Sequence, residues 1–216
     1  MKTIYCRGPE CRENIVKTYI VRPTAHSKLL NGQSKQSCTG QVLTDTYYSF
    51  ECINRVNPKD VRILFCGYRA AEHFLELINH EGLPLFDPLQ SDFTSAANQS
   101  KSSPQEKGDT INTRITKKWN DEAKQLYEAI NLLVMCWNAS IYGRLAKYKE
   151  DLEKFRDYKP YLERVEYVNS IITKDFKKRT LTQMLDDLRK DNPKLKQFKF
   201  DLLDKMLNEK GIVSKF

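Results

Sequence analysis

The chain has 216 residues, 40% of them hydrophobic and 11% aromatic, and a formal net charge of +8. That is too apolar for a disordered chain and enough to bury a core, in one large domain or two small ones. The charge is lopsided, with +1 on residues 1–112 and +7 on residues 113–216, which points the second half at nucleic acid, an acidic protein or an anionic surface.

The amino terminus, Met-Lys-Thr-Ile-Tyr-Cys-Arg-Gly-Pro-Glu, meets a charge and a turn before an apolar signal region can form. The expectation is a cytoplasmic protein whose thiols stay reduced, which favours metal binding or burial over bridging. Strands are expected at Thr3–Cys6, Asn14–Val21 and Gln41–Thr44. A firmer pair, Tyr47–Val56 and Val61–Cys66, is joined by the turn Asn57-Pro58-Lys59-Asp60. Pairing Val56 with Val61 sets Cys52 opposite Phe65 and gathers Tyr48, Phe50, Cys52, Val56, Val61, Ile63 and Phe65 on one apolar face. Cys66 then points to the other face. A helix follows over Tyr68 to His80, with Ala71, Phe74, Leu77 and Ile78 inward and Gly82 as its stop.

Ser91 to Asn112 carries five serines with Pro104 and Gly108, and reads as a linker. Beyond it the apolar positions Trp119, Ala123, Leu126, Ile130, Leu133, Trp137, Ile141, Leu145, Tyr148, Leu152 and Phe155 recur every three or four residues. The spacing predicts one long helix over 116–158 with a coiled-coil-like seam. The longest charge-free apolar run, Ala129 to Gly143, is interrupted by Asn131, Asn138 and Ser140, too short and too polar to cross a bilayer. A second helix starts at Pro160, with Leu162, Val165, Val168 and Ile172 inside. Thr180 with Gln183 forms a capping box for a third, and Asn192-Pro193 opens a fourth that ends before Gly211. The fold class is therefore α+β. A small strand-rich module over 1–90 (a hairpin plus one helix, with zinc as candidate stabiliser) precedes a 91–112 linker and a basic all-α domain over 113–216, where a helical bundle or a dimer on the long helix would bury the seam.

Five of the six cysteines and all three histidines lie in the first 80 residues, a crowding of nitrogen and sulfur that suggests a metal-stabilised module. Cys6 and Cys11 flank a Gly-Pro turn that can aim two sulfurs at one point, and Cys66 stands at a strand-to-helix turn. This layout resembles treble-clef zinc fingers, which implies two ligands from a knuckle and two from the head of a helix. Ala70 stands where a second helical cysteine is wanted, so His73, Cys38 or His26 would supply the fourth ligand, and the metal set is Cys6, Cys11, Cys66 and His73. Cys52 is assigned to the core.

Glu72, Glu76 and His80 at i, i+4 and i+8, with His73 beside them, make a candidate acid–base or divalent-ion face, although a solvent-facing helix surface carries the same residues. Asp45, Glu51 and Lys59 form a fainter nuclease-like set. A third constellation is basic: Lys174, Lys177, Lys178 and Arg179, then Arg189, Lys190, Lys194, Lys196 and Lys199, diluted by Asp186, Asp187 and Asp191. Lysines on both sides of a short helix suit a phosphate backbone, and nothing among them reads bases. No Gly-rich phosphate loop, Gly-x-Ser-x-Gly or His-Glu-x-x-His occurs. The preferred reading is a cytoplasmic binding protein that contacts nucleic acid through its lysines and holds structural zinc through its cysteines. The alternatives are a scaffold that self-associates through the long helix 116–158 or, further off, a hydrolase or nuclease.

Overall fold

A computed structural model describes residues 4–90 and 118–216, so the expected linker at 91–112 and the start of the expected long helix lie outside the described residues. In chain order the elements are α1 (Pro9–Thr18), β1 (Tyr19–Lys28), β2 (Lys35–Gln36), β3 (Val42–Leu43), β4 (Thr46–Asn54), β5 (Val61–Cys66) and α2 (Tyr68–Leu77). The helices α3 (Asp121–Cys136), α4 (Gly143–Lys154), α5 (Leu162–Ile172), α6 (Leu181–Asp191) and α7 (Asp201–Asn208) follow. The protein is α+β, with a small antiparallel sheet first and a helical region after it.

The first correction is α1. Gly8-Pro9 opens a helix rather than a turn between two cysteines, and the expected strand over Asn14–Val21 is helical in its first half. Proline is at home in the first turn of a helix, where its missing N–H costs nothing, and the chain is helical from Pro9 to Thr18 before the strand begins at Tyr19.

The three-stranded sheet has the order β1-β4-β5. In the hairpin Ile53 pairs with Val61 and Tyr48 with Cys66, three residues away from the expected register. The cause lies in the loop. The Asn54 side chain accepts the N–H groups of Val56 (2.9 Å) and Asn57 (3.1 Å), which ends the strand early and leaves Val56 outside in a wider turn. An odd shift inverts the faces, so Tyr48, Phe50, Cys52, Leu64 and Cys66 point together toward Ile15 of α1 and Ala71 and Phe74 of α2. Tyr47 and Phe65 point the other way, into the helical core. In β1 the register shifts between Pro23 and Ala25, and this bulge moves Val21 to the first cluster and Ala25 to the second. Proline suits that place, a bulge on an edge strand.

The single helix expected over 116–158 is two helices, α3 and α4, broken at 137–142. Asn138 and Gly143 adopt positive φ (45° and 59°) at the break, and three side chains from the first half hold its ends. Lys35 donates through Nζ to the carbonyls of Asn138 (2.7 Å) and Ala139 (3.1 Å), and Gln33 donates to Met135 O (2.8 Å). Glu51 accepts the first N–H of α4, from Gly143, at 2.7 Å. A break at the stutter lets α3 bury Ala123, Leu126, Ile130 and Leu133 while α4 turns to bury Leu145 and Leu152 beneath the sheet. Most of the seam is therefore interior to the chain, with Trp137 and Tyr148 half-buried and Phe155 exposed, and the helix is not continuous through 137–142. The third helix carries its capping box as expected, with Thr180 accepting from Gln183 N–H and the Gln183 side chain accepting from Thr180 N–H. The fourth begins only at Asp201, because Asn192 is engaged elsewhere: its side chain accepts from Asn31 N–H (3.0 Å) and donates to Leu188 O (3.0 Å).

Lys35 is 7% exposed, and burial pushes its pKa down to about 8 from 10.5. The native state thus loses this proton before the unfolded chain does, and between about pH 8 and 10.5 the unfolded chain binds more protons, so stability rises with pH across that window. In Lys35→Met this increment disappears. Urea unfolding of both proteins at about pH 7.5 and about pH 10 measures it, and equal pH slopes in the two proteins contradict this account of Lys35.

Candidate functional site

The expected metal ligands do not converge. Cys6 N–H donates to Cys38 O (2.9 Å) and Cys38 N–H to Phe65 O (2.8 Å), so three backbone segments lie side by side. That alignment brings Cys6 and Cys38 to a Cα–Cα distance of 5.2 Å, where they form a disulfide. The expectation of unbridged thiols is thereby corrected. The cause is tertiary, since 32 residues separate the two and no local pattern links them. Cys66 is buried below them, and desolvation pushes its thiol up to about 12, as it does for Cys52 in the same core. Cys11 is exposed on α1. His73 is occupied through Nδ1, which accepts from Arg12 Nε at 2.8 Å. His26 stacks on Tyr48 (3.9 Å between centroids) with Nδ1 3.0 Å from Leu83 O, and desolvation lowers its pKa. Among the described residues no three His, Cys, Asp or Glu side chains gather into a group able to hold a metal ion.

The acid–base face dissolves for a simpler reason. Helix α2 ends at Leu77, and Asn79 turns left-handed (φ 50°), so His80 leaves the helical track and accepts from Gly82 N–H instead. Glu72 and Glu76 stay exposed on α2. Asp45, Glu51 and Lys59 also part company. Asp45 pairs with Lys28 and Lys59 stays exposed, while Glu51 is buried between Arg22 and the start of α4.

The basic residues flank α6. Arg179 is taken up internally: Asp175, buried at 1% exposure, accepts from Arg179 Nε (3.1 Å) and Nη2 (2.9 Å), from the backbone N–H of Lys177 and of Arg179, and from Trp137 Nε1 (3.2 Å). The Arg179 hydrogen bonds are the largest cause holding the Asp175 carboxyl far below the usual carboxylate range. Asp187 accepts from Arg179 Nη1 (2.8 Å) and Lys190 Nζ (2.7 Å), bringing one cation from each cluster to the same side of α6. Arg189 pairs with Asp186 and donates to Lys196 O. Asp186 and Asp187 of α6 are thus neutralised from within, and Asp191 at its end stays exposed. Lys174, Lys177, Lys178, Lys194 and Lys199 remain exposed with no ion pair among the described residues, and Lys196 lies half-buried over Phe198.

One feature was not legible in the sequence. On α4 and α5, Arg164 lies over Tyr148 (5.3 Å) and Tyr161 (5.4 Å), Tyr148 meets Tyr167 edge-on (5.4 Å), and Arg144 covers Tyr167 (5.2 Å). The ladder borders a cleft of about 540 Å³ between α4 and the sheet, into which Arg22, Arg144 and Lys147 also face. Helical spacing places Tyr148 on the apolar seam and says nothing of the other four. Only the packing of one helix on the other makes them neighbours.

Over residues 5–211 the chain matches the family described as Uncharacterised conserved protein UCP028583, and it belongs to that family. No curated protein and no solved structure matches the chain. Among the described residues no helix is long and apolar enough to cross a membrane.

Asp175 fixes both the 175–179 turn and Trp137. Its folded pKa is depressed, so the stability it contributes is present above the unfolded value of 3.8 and is lost as pH falls below it. Asp175→Asn lowers the thermal midpoint by about 5 °C or more near neutral pH and flattens the loss of stability between about pH 4 and pH 2. Thermal unfolding followed by tryptophan emission reads both effects; an unchanged midpoint contradicts the assigned role.

Proposed function

We propose that this protein binds nucleic acid through the phosphate backbone, without reading sequence, and uses the two lysine groups that border α6. The observation that supports this best is the charge pairing on α6. Asp186 and Asp187 are consumed by Arg179, Arg189 and Lys190, while Asp191 at the end of the helix and the lysines on either side are exposed and make no ion pair among the described residues. The helix holds the two groups roughly 15 Å apart, at 1.5 Å per residue. That is less than half of a duplex turn of about 34 Å, so both reach one nucleic acid. Arg144 and Lys147, exposed on α4, extend the positive surface of the same half. No base-reading arrangement accompanies these groups, so affinity follows charge and falls steeply with salt.

Fluorescence anisotropy with a mixed-sequence duplex and a single-stranded oligonucleotide tests the proposal. Binding should weaken by at least about tenfold between 50 and 200 mM salt, with similar affinities for unrelated sequences. Lys177→Glu with Lys178→Glu, and Lys194→Glu with Lys199→Glu, should each reduce the slope of log affinity against log salt by about two. A response independent of salt, or slopes left intact by both double variants, overturns the reading.

The cytoplasm is the proposed compartment. This turns on the Cys6–Cys38 bond, because disulfides are rare in the cytosol. Protein drawn from cells, trapped with an alkylating agent and then denatured, reads it: six reactive cysteines support the cytoplasm. Four reactive cysteines would place it in an oxidising compartment.

A further inference from the structure

On the far side of the sheet from the helical core, the starts of α1 and α2 and the turn between β2 and β3 enclose a cleft of about 590 Å³, within the range of sites for small organic ligands. Three arginines line it, Arg7, Arg12 and Arg69, and no Asp or Glu does. Arg12 is held in place, donating to His73 Nδ1 (2.8 Å) and Cys6 O (3.1 Å). Arg7 and Arg69 are exposed and make no ion pair among the described residues. The acidic side chains nearest in sequence, Glu10, Glu13 and Glu72, lie outside the lining, and Glu72 is engaged by Tyr68 Oη at 3.4 Å. Both helices open into the cleft behind glycines, Gly8 and Gly67, and neither N-terminus is capped by a side chain. Gly8 sits at φ 90°, which a side chain rarely tolerates, and a Cβ there would meet nothing within 4 Å, so the space is open. Tyr5 and Tyr68, 69% and 64% exposed, stand at the rim.

We propose that this cleft binds the terminal phosphate monoester of a nucleoside, as on a nucleoside monophosphate or the phosphorylated end of a nucleic acid strand. A monoester carries between about −1.5 and −2 charge at neutral pH and offers three acceptor oxygens. Two or three guanidinium groups match that better than the single charge of a backbone diester. The rim tyrosines offer the base a stacking surface. The site uses none of the lysines of α6, so it stands or falls apart from backbone binding.

Isothermal titration of the full chain with adenosine 5′-monophosphate, adenosine and inorganic phosphate provides the test. The monophosphate should bind at least about tenfold more tightly than adenosine, with phosphate competing. The Arg7→Ala, Arg69→Ala double variant should weaken it by at least about tenfold at an unchanged thermal midpoint. If that variant fails to fold, the single substitutions carry the same comparison. Preference for a 5′-phosphorylated oligonucleotide over both its 5′-hydroxyl form and the mononucleotide would identify a strand end as the source, and the reverse order a free nucleotide. Equal binding of adenosine and its monophosphate, or affinity unchanged by loss of both arginines, overturns the proposal, whatever the α6 lysine variants do.

Discussion

Charged side chains stand at the boundary between sheet and helices, and each finds its partner across it. Glu51 of β4 is matched by Arg22 and by the first N–H of α4, and Lys35 by the last carbonyls after α3. Lys149 of α4 reaches back to Thr24 O at 2.9 Å, a carbonyl near the bulge in β1, and lies 3.8 Å from Glu153. Burial lowers the pKa of Lys149, so its pairing must be close. Buried charges left single cost several kcal/mol each, on the order of the whole stability of a domain. Much of the architecture follows. The long apolar seam must break where these groups meet it, α4 must lie under the sheet, and Ala25, Leu29, Leu30, Tyr47 and Phe86 join the same core as the helices.

The same accounting sorts the cations by role. Arginines do most of the internal work, since a planar fork serves two acceptors at once: Arg179 holds Asp175 and Asp187, Arg164 holds Asp151 between two tyrosines, and Arg22 holds Glu51 and Glu150. The lysines around α6 are left to the solvent. The cleft at the starts of α1 and α2 departs from this pattern, because Arg7 and Arg69 face each other's neighbourhood without an acid between them. Two kinds of positive surface therefore coexist: an exposed lysine border around α6, and a small arginine-lined recess at the starts of α1 and α2.

Local signals were legible where the deciding interaction is local. The Thr180–Gln183 capping box, the start of α2 at Tyr68, the strand pair and the burial of Cys52 all rest on residues within a few positions of one another. The readings that needed correction each turned on a distant or competing partner. The hairpin register moved by three because Asn54 satisfied two loop N–H groups, a choice that side-chain alternation cannot detect. The Cys6–Cys38 bond depends on a backbone alignment between segments 32 residues apart. His80 left its expected face because the helix ended one turn early.

Composition and periodicity by themselves determined the α+β class, the order of a strand-rich part before a helical one, and the concentration of positive charge in the second half. These properties sum over many residues, and no single contact can overturn them. Tertiary structure alone decided where the long seam breaks, which cysteines meet, and which cations are neutralised or left open. Those outcomes depend on pairing a buried polar group with a partner far along the chain, and the identity of that partner exists only once the chain is folded.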